Sequence, residues 1–196
     1  MILSGPSGAG KTTLHQKLLQ SPRLNGVLVK SVSATTRPRR PGEKSGREYL
    51  FMKAEDFAAK RKSGYFLESQ KVFQYYYGTP KKKVEELLTK GRNVLLCIDV
   101  KGARLVAREF PDALKIFIKP PSVAELKKRL QRRATEGHED LRLRLATARR
   151  EMKESVRYDH VIINDNLDDA YGDLESVVCS ALPAFGGGLP GAKKKF

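Results

Sequence analysis

The segment Gly5-Pro6-Ser7-Gly8-Ala9-Gly10-Lys11-Thr12 constrains this chain more than any other. It matches G-x-x-x-x-G-K-[ST], and it lies between a short apolar stub, Met1 to Ser4, and a stretch with Leu14, Leu18 and Leu19 at helical spacing. Strand, loop and helix in that order put a glycine-rich turn at a helix N-terminus. Glycines let several backbone N–H groups point inward together, and the helix end adds partial positive charge, so such a loop suits a phosphate chain. Lys11 would reach the β- and γ-oxygens of a nucleoside triphosphate, and the Thr12 hydroxyl would ligate a bridging Mg2+, with Thr13 next on the helix.

Further along, strands alternate with helices, which predicts a parallel sheet covered on both faces. A strand is expected at Val27 to Val32, a helix at Lys82 to Lys90, and a buried strand at Asn93 to Asp99 leading to a helix near Gly102. A strand at Leu114 to Ile118 ends at Pro120-Pro121, and Ser122 with Glu125 forms a capping-box signature for a helix to about Arg133. The charged stretch Arg132 to Asp140 reads as mobile. An arginine-rich helix to about Arg157, a strand at His160 to Asn164 and a helix from Asp168 to Leu182 follow. Between these elements, residues 33–83 hold aromatic-rich strands at Tyr49 to Met52, Phe66 to Glu68 and Val72 to Tyr77, with a short helix at Glu55 to Arg61, and read as an inserted α+β subdomain. Residues 183–196, rich in Gly, Pro and Lys, read as a disordered basic tail.

The 196 residues carry 38 Lys+Arg against 22 Asp+Glu, a net charge of +16, which predicts attraction to polyanions without choosing among them. No apolar run approaches the roughly 18 residues a membrane span needs. The start runs into the glycine loop without a charged n-region, so a cytoplasmic setting is expected. Cys97 and Cys179 lie far apart with no CxxC partner, against a disulfide scaffold or a structural zinc site.

Gly5 to Thr12, Ser33-Ala34-Thr35-Thr36-Arg37, Pro41-Gly42-Glu43, Tyr49, Tyr76-Tyr77-Gly78-Thr79, Ile98-Asp99-Val100-Lys101-Gly102, Pro120-Pro121-Ser122 and Asn164-Asp165 together resemble the guanylate kinase family, in its order and spacing. The resemblance implies a P-loop nucleoside-monophosphate kinase fold over residues 1–182, with a core of 1–32, 84–122 and 156–182, a GMP-binding subdomain of 33–83 and a helical lid of 123–155. It implies transfer of the ATP γ-phosphoryl group to GMP with Mg2+, in a monomer or homodimer. Glu68 would accept from the guanine N1–H and amine, and Ser33, Gly78 and Thr79 would border the base. Arg37, Arg40, Tyr49 and Tyr77 would hold the GMP phosphate, because guanidinium forks pair bidentately with phosphate. Lys11, Arg37, Arg133 and Arg144 would supply charge to the transferring group, with Arg129 and Asn164 on the ATP side and Asp99 in the GMP site or holding water on Mg2+.

Two departures from the family pattern stand out. The order Arg37-Pro38-Arg39-Arg40 lets Arg39 compete for the second arginine's place, and Cys97 stands where the family usually has a second carboxylate. Two apart in that strand, Cys97 and Asp99 are expected to project to the same side, so Cys97 is expected near the nucleotide cleft, with a small buried cysteine filling core space as the alternative. Among alternatives, a phosphopeptide-binding relative would not need the intact Lys11 and Thr12. An RNA-binding role finds no recognition motif despite the charge, so nucleic acid is not an expected partner.

Overall fold

The structure, a computed structural model, describes residues 1–132 and 138–182. The chain runs β1 (Ile2–Ser4), α1 (Lys11–Gln20), β2 (Leu28–Lys30), β3 (Ala34–Thr35), β4 (Leu50–Phe51), α2 (Ala54–Lys62), β5 (Phe66–Val72), β6 (Tyr75–Pro80), α3 (Lys81–Thr89), β7 (Asn93–Cys97) and α4 (Val100–Glu109). It continues through β8 (Lys115–Lys119), α5 (Val123–Arg132), α6 (His138–Lys153), a 3-10 turn (Glu154–Arg157), β9 (His160–Ile163) and α7 (Leu167–Ala181).

Five strands pair in parallel in the order β2-β7-β1-β8-β9. Ile2, Leu3, Ile116, Phe117 and Ile118 are fully buried, which is why β1 and β8 read as unbroken apolar runs: a strand covered on both faces has no polar side to alternate with. Leu14 and Leu18 of α1 and Leu174 and Val178 of α7 pack with Leu3, Leu95 and Ile116 on one face. Val84 of α3 and Ala103 and Val106 of α4 pack with Ile2, Val94 and Leu96 on the other. Burial of each such leucine stabilises the fold by about 1.5–3 kcal/mol. The loop after β1 therefore opens at the carboxyl edge of a rigid sheet, where open α/β folds bind ligands.

A second sheet, β4-β3-β6-β5, is built wholly from residues 34–80. Phe57 of α2 closes one side of it, stacked on Phe66 at 4.5 Å and Tyr76 at 5.6 Å. α5 and α6 pack on each other through Leu126, Leu130 and Ala148.

Several expected boundaries move. The aromatic segment is one hairpin, β5 running from Phe66 to Val72 with a register shift between Phe66 and Glu68, and Phe73 and Gln74 turning the chain into β6. Ser122 Oγ does accept from the Glu125 N–H at 3.0 Å, but the Glu125 carboxylate accepts from Arg129 Nε at 3.1 Å, so only half of the capping box is recorded. Helix α6 already begins at His138, inside the stretch expected to be irregular, and gives way to the 3-10 turn after Lys153. The expected tail, 183–196, lies outside the described residues. Among the described residues no helix is long and apolar enough to cross a membrane.

Candidate active site

Gly10 ends the phosphate loop and caps α1 with a left-handed φ of 93°, a conformation that costs a side chain dearly. A Cβ there would fall 2.0 Å from Asn164 Nδ2, and one at Gly5 2.2 Å from the Ile118 carbonyl, so the loop is pressed against the ends of β8 and β9. Asn164, only 5% exposed, donates Nδ2–H to the Ala9 carbonyl at 2.8 Å. Lys11 curls over the loop and donates from Nζ to the carbonyls of Gly5 at 2.6 Å and Pro6 at 2.9 Å. Those bonds fix its ammonium above the cradle formed by Pro6, Ser7, Gly8, Ala9 and Gly10. Thr12 and Thr13, in the first turn of α1, are exposed at its mouth.

The resemblance places Asn164 against adenine, with a helix cap as the alternative. The cap is Asn166, whose Oδ1 accepts from the N–H groups of Asp168 and Asp169. Asn164's amide is instead committed beneath the loop, where it braces the backbone. Arg129 lies on the same side, donating to Glu125 and, at 3.4 Å, to the Asp165 carbonyl.

Across the cleft, Glu68 and Thr79 are register partners on β5 and β6, and Thr79 Oγ1 donates to Glu68 Oε1 at 2.7 Å. A Cβ on Gly102 would lie 2.6 Å from Glu68 Oε2 and 3.0 Å from Asp99 Oδ1, so the bare backbone at 102 lets this carboxylate approach the start of α4. Burial pushes the Glu68 carboxyl up to about 7, the Thr79 hydrogen bond opposes the rise, and the nearby Asp99 adds to it. Ser33, buried just before β3, and Gly78, on β6 beside Ala34, border the same sheet.

Asp99 is not the end of a strand. β7 stops at Cys97, and Asp99 caps α4, accepting from the Gly102 N–H at 2.6 Å. Burial raises its carboxyl, with the Gly102 bond and then Lys11 opposing. The strand-alternation argument for Cys97 therefore does not reach residue 99. Cys97 nevertheless sits on the α1 face of β7, half-buried, with its thiol raised by burial and then pulled down by Lys11 and Lys30. Core edge and cleft meet at this position.

Beside Glu68 lies the basic and aromatic cluster. Arg37 donates from Nη2 to both Glu43 oxygens at 2.7 and 2.9 Å, and its guanidinium lies 5.6 Å from the Tyr49 ring and 5.7 Å from that of Phe51. Burial works against its charge, but Glu43 and Tyr77 outweigh it and hold the guanidinium protonated. Tyr49 and Tyr77 meet edge to face at 5.8 Å, and burial raises the Tyr49 hydroxyl well above the usual phenol range. Arg40 is exposed, and it is Arg40's charge that acts on Arg144 of α6.

Helix α6 ties the halves together. Arg144 lies by Arg40 and Tyr77, and Glu151, seven residues on and so on the same face about 10 Å away, accepts from the Ser7 N–H of the phosphate loop. Burial pushes Glu151 up to about 7, Lys11 lowers it, and Asp99 raises it again. Sequence reasoning missed Glu151. Its two-turn spacing from Arg144 was the available signal. Arg133, expected to join Arg144, lies outside the described residues.

Among the described residues no group of three or more His, Cys, Asp or Glu side chains is placed to hold a metal. The donors fit Mg2+ all the same, because that ion takes few protein ligands and completes its shell with phosphate oxygens and water. The exposed Thr12 hydroxyl at the mouth of a phosphate cradle supplies a hard oxygen of that kind.

A five-stranded parallel sheet, a phosphate loop at its carboxyl edge, a second sheet presenting a carboxylate and arginines, and a helix reaching between them define a P-loop nucleoside-monophosphate kinase. The guanylate kinase family matches residues 1–181. The chain is 43% identical over 178 residues to a guanylate kinase of Clostridium tetani, covering 91% of this chain and 84% of that one. It is 42% identical to a guanylate kinase of Rickettsia bellii, covering 91% and 92%. The crystal structure of guanylate kinase from Anaplasma phagocytophilum superposes with a TM-score of 0.74 at 32% identity, over 92% of this chain and 84% of that one. This chain belongs to the guanylate kinase family.

Proposed function

We propose that the protein transfers the γ-phosphoryl group of ATP to GMP or dGMP, giving ADP and GDP or dGDP. The observation that carries this reading is the buried Glu68, with Thr79 on one oxygen and the start of α4 against the other. A carboxylate there pairs with the N1–H and amine of guanine, whereas adenine leaves it poorly partnered, and a buried polar group without its partner discriminates strongly.

In this reading residues 33–83 bind the acceptor and 123–155 form the lid. The acceptor phosphate lies among Arg37, Arg40, Tyr49 and Tyr77, its oxygen attacking the γ-phosphorus as the bond to the β-phosphate oxygen breaks. Such a transfer asks the protein for alignment and positive charge and needs no covalent intermediate. Lys11 holds the β- and γ-oxygens from the donor side, and Arg144, with Arg133, brings charge from the lid. Thr12 would hold Mg2+, which would supply charge neutralisation to the β- and γ-phosphate oxygens. No imidazole takes part, and burial keeps His15 neutral by lowering it to about 4. The partners are nucleotides, with neither nucleic acid nor membrane, in a cytoplasmic monomer or homodimer.

A coupled assay with GMP, dGMP, AMP and UMP tests the reading. GMP and dGMP are expected to turn over and AMP and UMP to be rejected by about two orders of magnitude or more. Equal use of AMP would overturn the guanine assignment, and no turnover with any acceptor would overturn the kinase assignment.

A further inference from the structure

The lid helix meets the acceptor hairpin through an aromatic ring. The Arg144 guanidinium lies 5.0 Å from the centroid of Phe73, within cation–π range. Phe73 occupies the two-residue turn between Val72 and Tyr75, the last pair of the β5–β6 ladder. It is the one non-glycine residue among those described with a positive φ, 55°. Turns of this length favour Gly or Asn, because a left-handed backbone crowds Cβ against the neighbouring carbonyl. An aromatic residue is a poor choice for the turn itself. Strain of this kind persists where the side chain serves something else.

What the ring touches indicates that service. Arg144 also lies within reach of the charge of Arg40 and of Tyr77, which belong to the acceptor phosphate site. The same face of α6 reaches the phosphate loop through Glu151. The guanidinium thus lies on the acceptor side of α6, beside Arg40 and Tyr77, with Phe73 of the hairpin against it. An aromatic face attracts a cation without itself taking up an N–H donor, so the ring draws the Arg144 guanidinium toward the hairpin, beside Arg40 and Tyr77.

We propose that Phe73 is a positioning residue for phosphoryl transfer, a ring held in a strained turn that docks Arg144 of α6 against the acceptor subdomain. The inference rests on the reading of Arg144 as a source of charge at the transferring group.

The test combines steady-state kinetics with thermal unfolding of Phe73→Gly, Phe73→Leu, Phe73→Tyr, Arg144→Ala and the double variant Phe73→Gly/Arg144→Ala. Phe73→Gly relieves the backbone, so its unfolding midpoint is expected at or above that of the parent while kcat falls about tenfold and the KM for ATP stays within about twofold. Phe73→Leu loses the ring and is expected to lose turnover similarly, whereas Phe73→Tyr keeps it. Adding Phe73→Gly to Arg144→Ala should lower kcat no further, because both changes remove one interaction. Parental kcat in Phe73→Gly beside an impaired Arg144→Ala overturns this inference alone. Turnover that falls only in step with the midpoint also overturns it, in favour of a structural role. Parental turnover in Arg144→Ala overturns the reading of Arg144, and this inference with it.

Discussion

Thr79 and Glu68 face each other on neighbouring strands and share a hydrogen bond of 2.7 Å in a pocket that leaves Glu68 only 6% exposed. Burial outweighs what the Thr79 hydroxyl and backbone N–H give this carboxylate, and the nearby Asp99 adds to the rise, so its pKa is pushed up to about 7.

Guanine supplies two further donors, which favour the ionised form. GMP binding should therefore expel a proton from Glu68, tightening as pH rises through about 7 and weakening below it. Titration calorimetry in buffers of different ionisation enthalpy, across pH 5.5 to 8.5, measures the proton release. The GMP phosphate titrates near pH 6 and contributes separately, so Glu68→Gln is the control. That variant should lose the component centred near 7 and raise the KM for GMP about ten- to hundredfold, since an amide can accept from only one of the two donors.

Lys11→Met should leave the fold intact and reduce kcat by about 10²–10³ or more, because one fixed cationic donor is lost where charge develops. Its hydrogen bonds to Gly5 and Pro6 are local to the loop, so circular dichroism should be unchanged. Near-normal turnover in the folded variant would contradict the assigned role.

The phosphate loop was legible because its information is local: eight consecutive residues specify the turn, and the flanking strand and helix follow from periodicity. Glu68 and the arginines enter the proposed site only through family spacing, since nothing local to a glutamate in a strand marks it for a role in base recognition. Asp99 was misread as a strand residue because the strand's end is set across the sheet, where Cys97 pairs with Leu3. The Phe73-Gln74 turn escaped notice because it carries none of the Gly, Asn or Asp that announce a hairpin. Glu151 escaped because its contact depends on which face α6 turns toward Ser7, a matter of packing between distant segments.

Cys97 adjoins Lys11 and Lys30, yet burial keeps its thiol raised overall. Alkylation should be slow at neutral pH, quicken as pH rises, and slow again when GMP and an unreactive ATP analogue fill the cleft. Mass spectrometry of labelled peptides distinguishes Cys97 from the fully buried Cys179. Cys97→Asp restores a carboxylate there and should lower the Mg2+ concentration needed for half-maximal turnover. A thiol unreactive at every pH, with an unchanged Mg2+ requirement in the variant, would make Cys97 simple core packing.

Asn164 and Gly10 brace the phosphate loop from below, and each gives a distinct failure. Asn164→Ala removes the donor to the Ala9 carbonyl and leaves that acceptor buried, which should cost about 1–3 kcal/mol of stability. The loop would lose one tether, so the KM for ATP is expected to rise several-fold while the KM for GMP, proposed to depend on Glu68 and Arg37 across the cleft, stays near the parent's. Gly10→Ala is expected to be worse. Its methyl would fall 2.0 Å from Asn164 Nδ2 on a backbone with φ of 93°, so clash and conformational strain add, and the loop must shift away from β9. Combining Gly10→Ala with Asn164→Ala removes the clash but keeps the backbone strain. The double variant should therefore regain part of the ATP affinity lost in Gly10→Ala, a non-additivity readable by nucleotide titration. Strictly additive losses would mean that the two residues do not meet through the loop, and Asn164 would then lose its role as the brace.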